Sequence, residues 1–179
     1  MPRSSDPRSV LVLVEQSYED LELWYPKIRL EEEGMRVVVA GPERVRYVGK
    51  YGYPCTPDIT IDQARAEAFD ALVIPGGWAP DRLRRLPVVL ELVREFDRAK
   101  KPIAMICHAG WVPISARILS GRQVTGVAAI RDDLENAGAR FLDRSVVVDG
   151  HLISSRTPAD LPDFCRELIA ALRAKVTAA

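Results

Sequence analysis

The chain has 179 residues, 25 Lys plus Arg matched by 25 Asp plus Glu, and a formal net charge of zero. That balance lacks the basic excess needed to hold nucleic acid or an anionic membrane surface, so neither is expected as a partner. No apolar run approaches the ~20 residues of a spanning helix, and the polar residues 1–8 and the short apolar run after them do not read as a targeting segment.

The length suits one domain that buries roughly 70% of its unfolded surface. A single domain over residues 1–179 is expected, with residues 1–8 as a flexible tail. Three widely spaced cysteines give no disulfide framework. The reducing cytoplasm, with free thiols, is the expected setting.

Residues 9–14, rich in Val and Leu, read as a buried strand. Residues 21–33 carry Leu23, Trp24, Ile28 and Leu30 at near-helical spacing, and Gly34 stops that helix. Residues 36–40 form a second Val-rich strand, so the β-α-β opening predicts a parallel pair. Gly49, Gly52 and Pro54, set among aromatics, predict a small hairpin. Ala71–Ile74 is another buried strand, closed by Pro75, Gly76 and Gly77. Pro87 precedes a helix over 88–100. Ile103–Ile106 is a strand that ends abruptly at Cys107, His108, Ala109 and Gly110, with an amphipathic segment from Trp111. A short strand over 123–125, a helix over 130–137, and strands over 139–142 and 146–148 follow, with an Asp149-Gly150 turn into a strand over 151–154. Thr157, Pro158 and Asp160 have the order of a capped helix start and open a helix running to residue 174. Alternating strands and helices imply an α/β three-layer α/β/α sandwich around a mostly parallel sheet. Ligands bind beyond the carboxyl ends of the strands in such sheets. Glu19, Asp20, Gly76, Gly77, Asp81, Cys107 and His108 all follow strands and so converge on one edge.

The strand before Cys107 turns sharply into a helix, which lifts the thiol onto the turn. Unpaired amides and the positive end of the helix dipole there favour thiolate, the nucleophilic form. The rival reading is an inert structural thiol. His108 is the candidate base, one of two histidines. Adjacent side chains do not face each other on a regular helix, so a Cys107–His108 pair needs a distorted turn. The glycines Gly76 and Gly77 permit close backbone approach, and their amides with that of His108 are candidate oxyanion donors. A carboxylate beside a thiolate repels it. Glu19 therefore helps only if burial keeps it protonated and it donates to sulfur. His151, past a turn, reads as solvated. Arg82, Arg84 and Arg85 read as a solvated or subunit-facing surface, and Cys55 and Cys165 as non-catalytic. The spacing fits no zinc site, and neither metal nor cofactor is expected.

A set of longer stretches carries a resemblance. They are Tyr18-Glu19-Asp20-Leu21-Glu22-Leu23 with Tyr25-Pro26, then Gly49-Lys50 with Gly52-Tyr53, then residues 69–77 and Ala79-Pro80-Asp81. Ile106-Cys107-His108, Asp132-Asp133, Asn136-Ala137-Gly138, Val147-Val148-Asp149-Gly150 and residues 154–160 complete it. Together they resemble the PfpI family, the intracellular-protease-like branch of the DJ/PfpI superfamily. The resemblance implies a flavodoxin-like sandwich with a nucleophile elbow at Cys107. By the same likeness Glu19 is the acid that hydrogen-bonds the thiol and His108 is the general base. The acid that orients His108 comes from the Asp81 position of a neighbouring subunit, and the Gly77 and His108 amides form the oxyanion hole. A homodimer or higher homo-oligomer is implied. Two departures stand out. Asp81 replaces a glutamate of the family pattern, and Ala109-Gly110-Trp111 replaces glycine-proline after the histidine, which puts Trp111 at the substrate pocket. The expected function is that of a cytoplasmic, stress-related cysteine enzyme. Its substrates are small reactive carbonyls, in a glyoxalase or deglycase manner, or peptides, as in a cysteine peptidase. The rival from another class is a redox sensor or stress chaperone that works through oxidation of Cys107.

Overall fold

The computed structural model describes residues 7–177. The tail expected over residues 1–8 lies, for residues 1–6, outside the described residues. Arg8 is not part of a loose tail: its guanidinium meets Asp70 at 2.8 Å and its carbonyl accepts the Arg36 N–H at 2.7 Å.

In chain order, β1 (Ser9–Leu13), α1 (Asp20–Glu32) and β2 (Arg36–Gly41) form the opening unit. A two-residue ladder of β3 (Tyr47–Val48) and β4 (Pro54–Cys55) makes the expected hairpin. Next come β5 (Ile59–Thr60), β6 (Ala71–Ile74), α2 (Ala79–Leu83), α3 (Pro87–Arg98) and β7 (Ile103–Ile106). After a 3-10 turn over Cys107–Gly110 follow α4 (Trp111–Ala116), β8 (Gln123–Val124), α5 (Arg131–Asn136) and β9 (Arg140–Phe141). The chain closes with β10 (Val146–Asp149), β11 (Leu152–Ser155) and α6 (Leu161–Thr177).

Seven of these strands form one sheet in the order β10-β11-β7-β6-β1-β2-β5. All neighbours are parallel except the β10–β11 hairpin, whose pairing runs Val146 to Ser155 through Asp149 to Leu152. Helices α1 and α6 pack together on one face, with α3 and α4 against the other. This is the mostly parallel α/β/α sandwich that the alternation implies. No residue of β6 or β7, and none of Val10–Leu13 in β1, is more than 1% exposed. Burial on both faces is why these strands are unbroken apolar runs rather than alternating ones.

Strand β1 is followed by a crossover to β2 on one side, while β6 leads to β7 on the other, so the order reverses between β1 and β6. A crevice opens beyond the carboxyl ends at such a point. There the loop after β1 meets the loop after β6, through a Tyr18–Gly77 bridge, a Glu19 N–H to Gly76 carbonyl bond of 3.1 Å and a Trp78 N–H to Ser17 carbonyl bond of 2.8 Å.

Several local expectations change. The last helix starts at Leu161, after a 3-10 turn over Pro158–Asp160, and Thr157 makes no side-chain cap bond. The Asp160 carboxylate instead accepts from the Arg156 guanidinium at 2.9 and 3.1 Å, a stronger charge-assisted pair. The helix after Cys107 is cut to six residues because Arg117 turns left-handed at φ +60. His151 is not solvated; its side chain is 7% exposed and its Nε2 lies 2.7 Å from Asp97 Oδ1. Arg84 is not a plain solvated side chain either: its Nε donates to Ser115 Oγ at 2.9 Å and its guanidinium lies 5.8 Å from the Trp111 ring centre.

Candidate active site

Cys107 stands at the carboxyl end of β7 with φ +62, the left-handed region that a residue with a Cβ rarely enters. Ile106 before it is extended and Ala109 and Gly110 after it are buried in a 3-10 turn. The chain therefore reverses within one residue, and the half-buried thiol is held on the bend. The same distortion solves the adjacency problem. Cys107 Sγ lies 3.3 Å from His108 Nδ1, a contact that a regular helix would not allow. For His108 to accept the thiol proton at Nδ1, its own proton sits on Nε2.

Gly76 and Gly77 are required by crowding. A Cβ on Gly76 would meet Glu22 Oε2 at 2.5 Å, Cys107 Cβ at 2.7 Å and the Ile106 carbonyl at 2.9 Å. Gly77 is at φ +74, and a Cβ there would come within 2.4 Å of the Glu19 amide. The amides of Gly77 and His108 both point at the Cys107 sulfur and favour its ionised form. The Gly76 amide is committed elsewhere: it donates to Glu22 Oε2 at 2.8 Å.

That bond exposes the main difference from the sequence reading. Glu19 was expected to hydrogen-bond the thiol, but the acid beside Cys107 is Glu22. Glu19 is the residue before the first turn of α1, and its side chain leads to Lys50, with Oε2 3.5 Å from Nζ. Glu22 lies one turn further on and is wholly buried. Helical side chains tilt toward the helix start, so its carboxyl reaches back under the Gly76 loop. Asp20, between them, is also occupied, accepting the Tyr51 and Tyr53 amides at 2.8 Å each.

Burial, added to by the charge of Glu19, pushes Glu22 up to about 8, against the opposing Gly76 bond. Glu22 is therefore a neutral acid at pH 7. Its second oxygen, Oε1, is buried without a hydrogen-bond partner among the described residues. A proton held by Glu22 sits on this oxygen, because Oε2 already accepts the Gly76 amide. Burial also drives the Cys107 thiol up to about 12, with the Glu22 charge as the next cause and the two amides opposing. The elbow was expected to favour thiolate, but burial outweighs the amides and a helix of six residues adds little. His108 is shifted the other way. Burial first, and then the Lys50 ammonium, hold it below the ordinary imidazole value, so it is neutral and able to accept a proton.

Two indoles flank His108. Its ring centre is 5.2 Å from that of Trp78 and 5.0 Å from that of Trp111, and Trp111 Nε1 donates to Asp133 Oδ2 at 2.8 Å. Asp81 is exposed on α2 and pairs with Arg85 at 3.4 Å; no contact joins it to His108 within the chain among the described residues. Sequence reasoning missed Glu22, Lys50 and Trp78. The Glu22 signal was present, since Glu19 and Glu22 share one helix face at a spacing of three. Trp78 had no signal, because nothing in the sequence places the residue after Gly77 against one thirty positions later. Among the described residues no cluster of three or more His, Cys, Asp or Glu is placed to hold a metal ion.

Comparison with known proteins bears on this arrangement. The DJ-1/PfpI family matches residues 8–171. An uncharacterised protein of Archaeoglobus fulgidus is 49% identical over 164 residues, covering 92% of this chain and 98% of its own. A protein of Pyrococcus horikoshii named as a deglycase is 45% identical over 164 residues, covering 92% and 99%, respectively. Among solved structures, a two-domain protein of Anabaena variabilis with DJ-1/ThiJ/PfpI-like and ferritin-like domains superposes with TM-score 0.91 at 42% identity, covering 92% of this chain and 48% of that one. The Drosophila melanogaster protein DJ-1beta superposes with TM-score 0.88 at 27% identity, over 97% of this chain and 95% of its own. The sandwich, its elbow cysteine and the match over residues 8–171 together mean that this chain belongs to the DJ-1/PfpI family.

Proposed function

We propose that the chain is a cysteine-dependent enzyme of the deglycase type, acting on small reactive carbonyls or their adducts. The observation that carries this reading is Cys107 at φ +62 with its sulfur 3.3 Å from a neutral imidazole nitrogen. The relatives named as deglycases support the same chemistry.

A thiol pushed up to about 12 is not a standing thiolate, so proton removal accompanies attack. The S–H proton passes to His108 Nδ1 as the sulfur forms a bond to the aldehyde carbon. The C=O electron pair moves to oxygen, which faces the Gly77 and His108 amides. His108 then returns the proton to that oxygen, giving a hemithioacetal. Neutral Glu22 spares the sulfur the repulsion that its charged form would exert. A half-buried thiol beside an imidazole flanked by two indoles suits a small aldehyde better than a polypeptide. It also fits a redox sensor poorly, since susceptibility to oxidation follows thiolate character.

We infer further that the chain works in the cytoplasm as a homo-oligomer; its three free cysteines suit a reducing setting. In such an oligomer Asp81 of a second copy takes up the position near His108 Nε2. The test is the loss of methylglyoxal, followed by carbonyl derivatisation, for wild type, Cys107→Ala and His108→Ala. Turnover by wild type that is lost in both variants is expected. Undiminished turnover by Cys107→Ala overturns the reading, and so does wild type that turns over no aldehyde while cleaving peptides.

A further inference from the structure

The PfpI-like scheme gives the orientation of His108 to a carboxylate. Within this chain no carboxylate bonds the ring among the described residues. What the ring does touch is aromatic. Trp78 belongs to the loop after β6 and precedes α2, whereas Trp111 opens α4. They approach from separate segments, with centre distances of 5.2 and 5.0 Å and ring planes tilted by 41° and 52°. Such offset, tilted packing is attractive and fixes a ring plane.

The indoles are themselves held. Trp111 is tied by its N–H to Asp133 at 2.8 Å and covered by the Arg84 guanidinium, which is anchored on Ser115. Trp78 is fixed through its backbone, its N–H donating to the Ser17 carbonyl at 2.8 Å in the loop that carries Glu19. It remains 52% exposed, so its packing on the His108 ring is the ring contact that covers it.

We propose that Trp78 and Trp111 are positioning residues that clamp the His108 imidazole from both sides and aim Nδ1 at the Cys107 sulfur. The proposal rests on the catalytic reading of Cys107 and His108 and adds a cause for their alignment. Clamping by stacking leaves Nε2 without a partner among the described residues, open to a substrate atom or a neighbouring copy. It also keeps water from the ring. The charged and titratable groups around that ring are few: Cys107 at Nδ1, Lys50 from the hairpin, Arg84 and Asp133 behind Trp111, and Glu19 and Glu22 from α1 beyond the sulfur.

The experiment is an NMR pH titration of histidine-labelled protein, which needs no turnover. The chain has only two histidines, so His151→Gln assigns the other signal. Trp78→Ala, at an exposed site that leaves the core untouched, and Trp111→Phe, which keeps a ring, guard against simple unfolding. Expected is a rise of the His108 midpoint toward the ordinary imidazole value in Trp78→Ala, with a smaller rise in Trp111→Phe, which keeps a ring but loses the bond to Asp133. In turnover, kcat of Trp78→Ala falls about tenfold with KM little changed, inside the ~100-fold that a misplacement of about an ångström costs. If Trp78→Ala and Trp111→Ala both leave the His108 midpoint and kcat unmoved, the clamp is wrong. If His108 titrates as expected in the variants but wild type turns over no carbonyl, the clamp stands and the catalytic reading falls.

Discussion

The two histidines of this protein lie at opposite ends of one sheet and are oriented by different means. At the end where β7 and β11 begin, His151 meets Asp97 at 2.7 Å, and Arg122 stands 3.8 Å behind that carboxylate. At the other end, His108 is held by two indoles and a thiol. Burial is the leading cause that lowers both imidazoles, but only His151 has a carboxylate working against it. A hydrogen bond to a carboxylate fixes a ring by consuming one of its nitrogens. Stacking fixes a ring and leaves its nitrogens available. The end with satisfied polar groups is built for stability. The end with a left-handed cysteine, a Glu22 oxygen unpartnered among the described residues and two crowded glycines is where backbone strain and unspent hydrogen-bonding capacity collect.

The sharpest way to break this comparison is turnover. Cys107→Ala is expected to lower methylglyoxal loss by about a thousandfold or more, the scale on which nucleophile removal acts. His151→Gln, at the other end, leaves it within about twofold, since only residues acting in the transition state change kcat/KM. A large loss in His151→Gln would remove the distinction between the two ends.

Next in size is a pair of glycine replacements read by thermal or denaturant unfolding. Gly76→Ala puts a methyl 2.5 Å from Glu22 Oε2 and 2.7 Å from Cys107 Cβ, and is expected to cost about 1–3 kcal/mol, the usual range for overpacking. Gly150→Ala meets nothing nearer than 3.6 Å, so only its φ of +61 opposes it, at about 1 kcal/mol. Equal costs would mean that the crevice is not tightly packed.

The acid assignment is tested by pH. Glu22 holds its proton up to about 8 in the fold but has an ordinary value of 4.5. A raised folded value means that its contribution to stability is full below 4.5 and is lost as pH rises through about 8. The histidines act with the opposite sign, because their lowered values make stability fall as pH drops below 6.5. Subtracting the Glu22→Gln curve from wild type therefore isolates the carboxyl, and a difference without pH dependence between 5 and 8 counts against a buried neutral Glu22. Glu22→Gln should also move the onset of Cys107 alkylation to lower pH, with Glu19→Gln moving it less, because the Glu22 charge opposes thiolate more strongly than that of Glu19.

The smallest expected effect belongs to Asp97→Asn. It weakens the bond to His151 and costs about 1 kcal/mol, with turnover and the His108 titration unchanged.

Much of the frame was legible in the sequence because it rests on local patterns. The strands Ala71–Ile74 and Ile103–Ile106 are short apolar runs bounded by turn residues, and their ends are where the sequence places them. The elbow was legible too, since an apolar run that stops at a cysteine followed by small residues marks a sharp strand-to-helix turn, although the run alone did not separate it from an inert structural thiol. The start of α6 was misread because Asp160 has a local role as a helix cap and a competing one as a partner for Arg156, and the ion pair wins. His151 was misread for a similar reason, its partner lying on α3 more than fifty residues earlier.

From the order of its residues alone, the chain fixes a parallel sandwich with a thiol at one strand end, since periodicity and turn chemistry act between near neighbours. The choice of Glu22 over Glu19, the meeting of Trp78 with Trp111 across His108, and the burial that keeps the thiol protonated are settled only when distant segments pack. Each depends on where side chains point and how much water they lose, and those quantities exist only once the layers have closed.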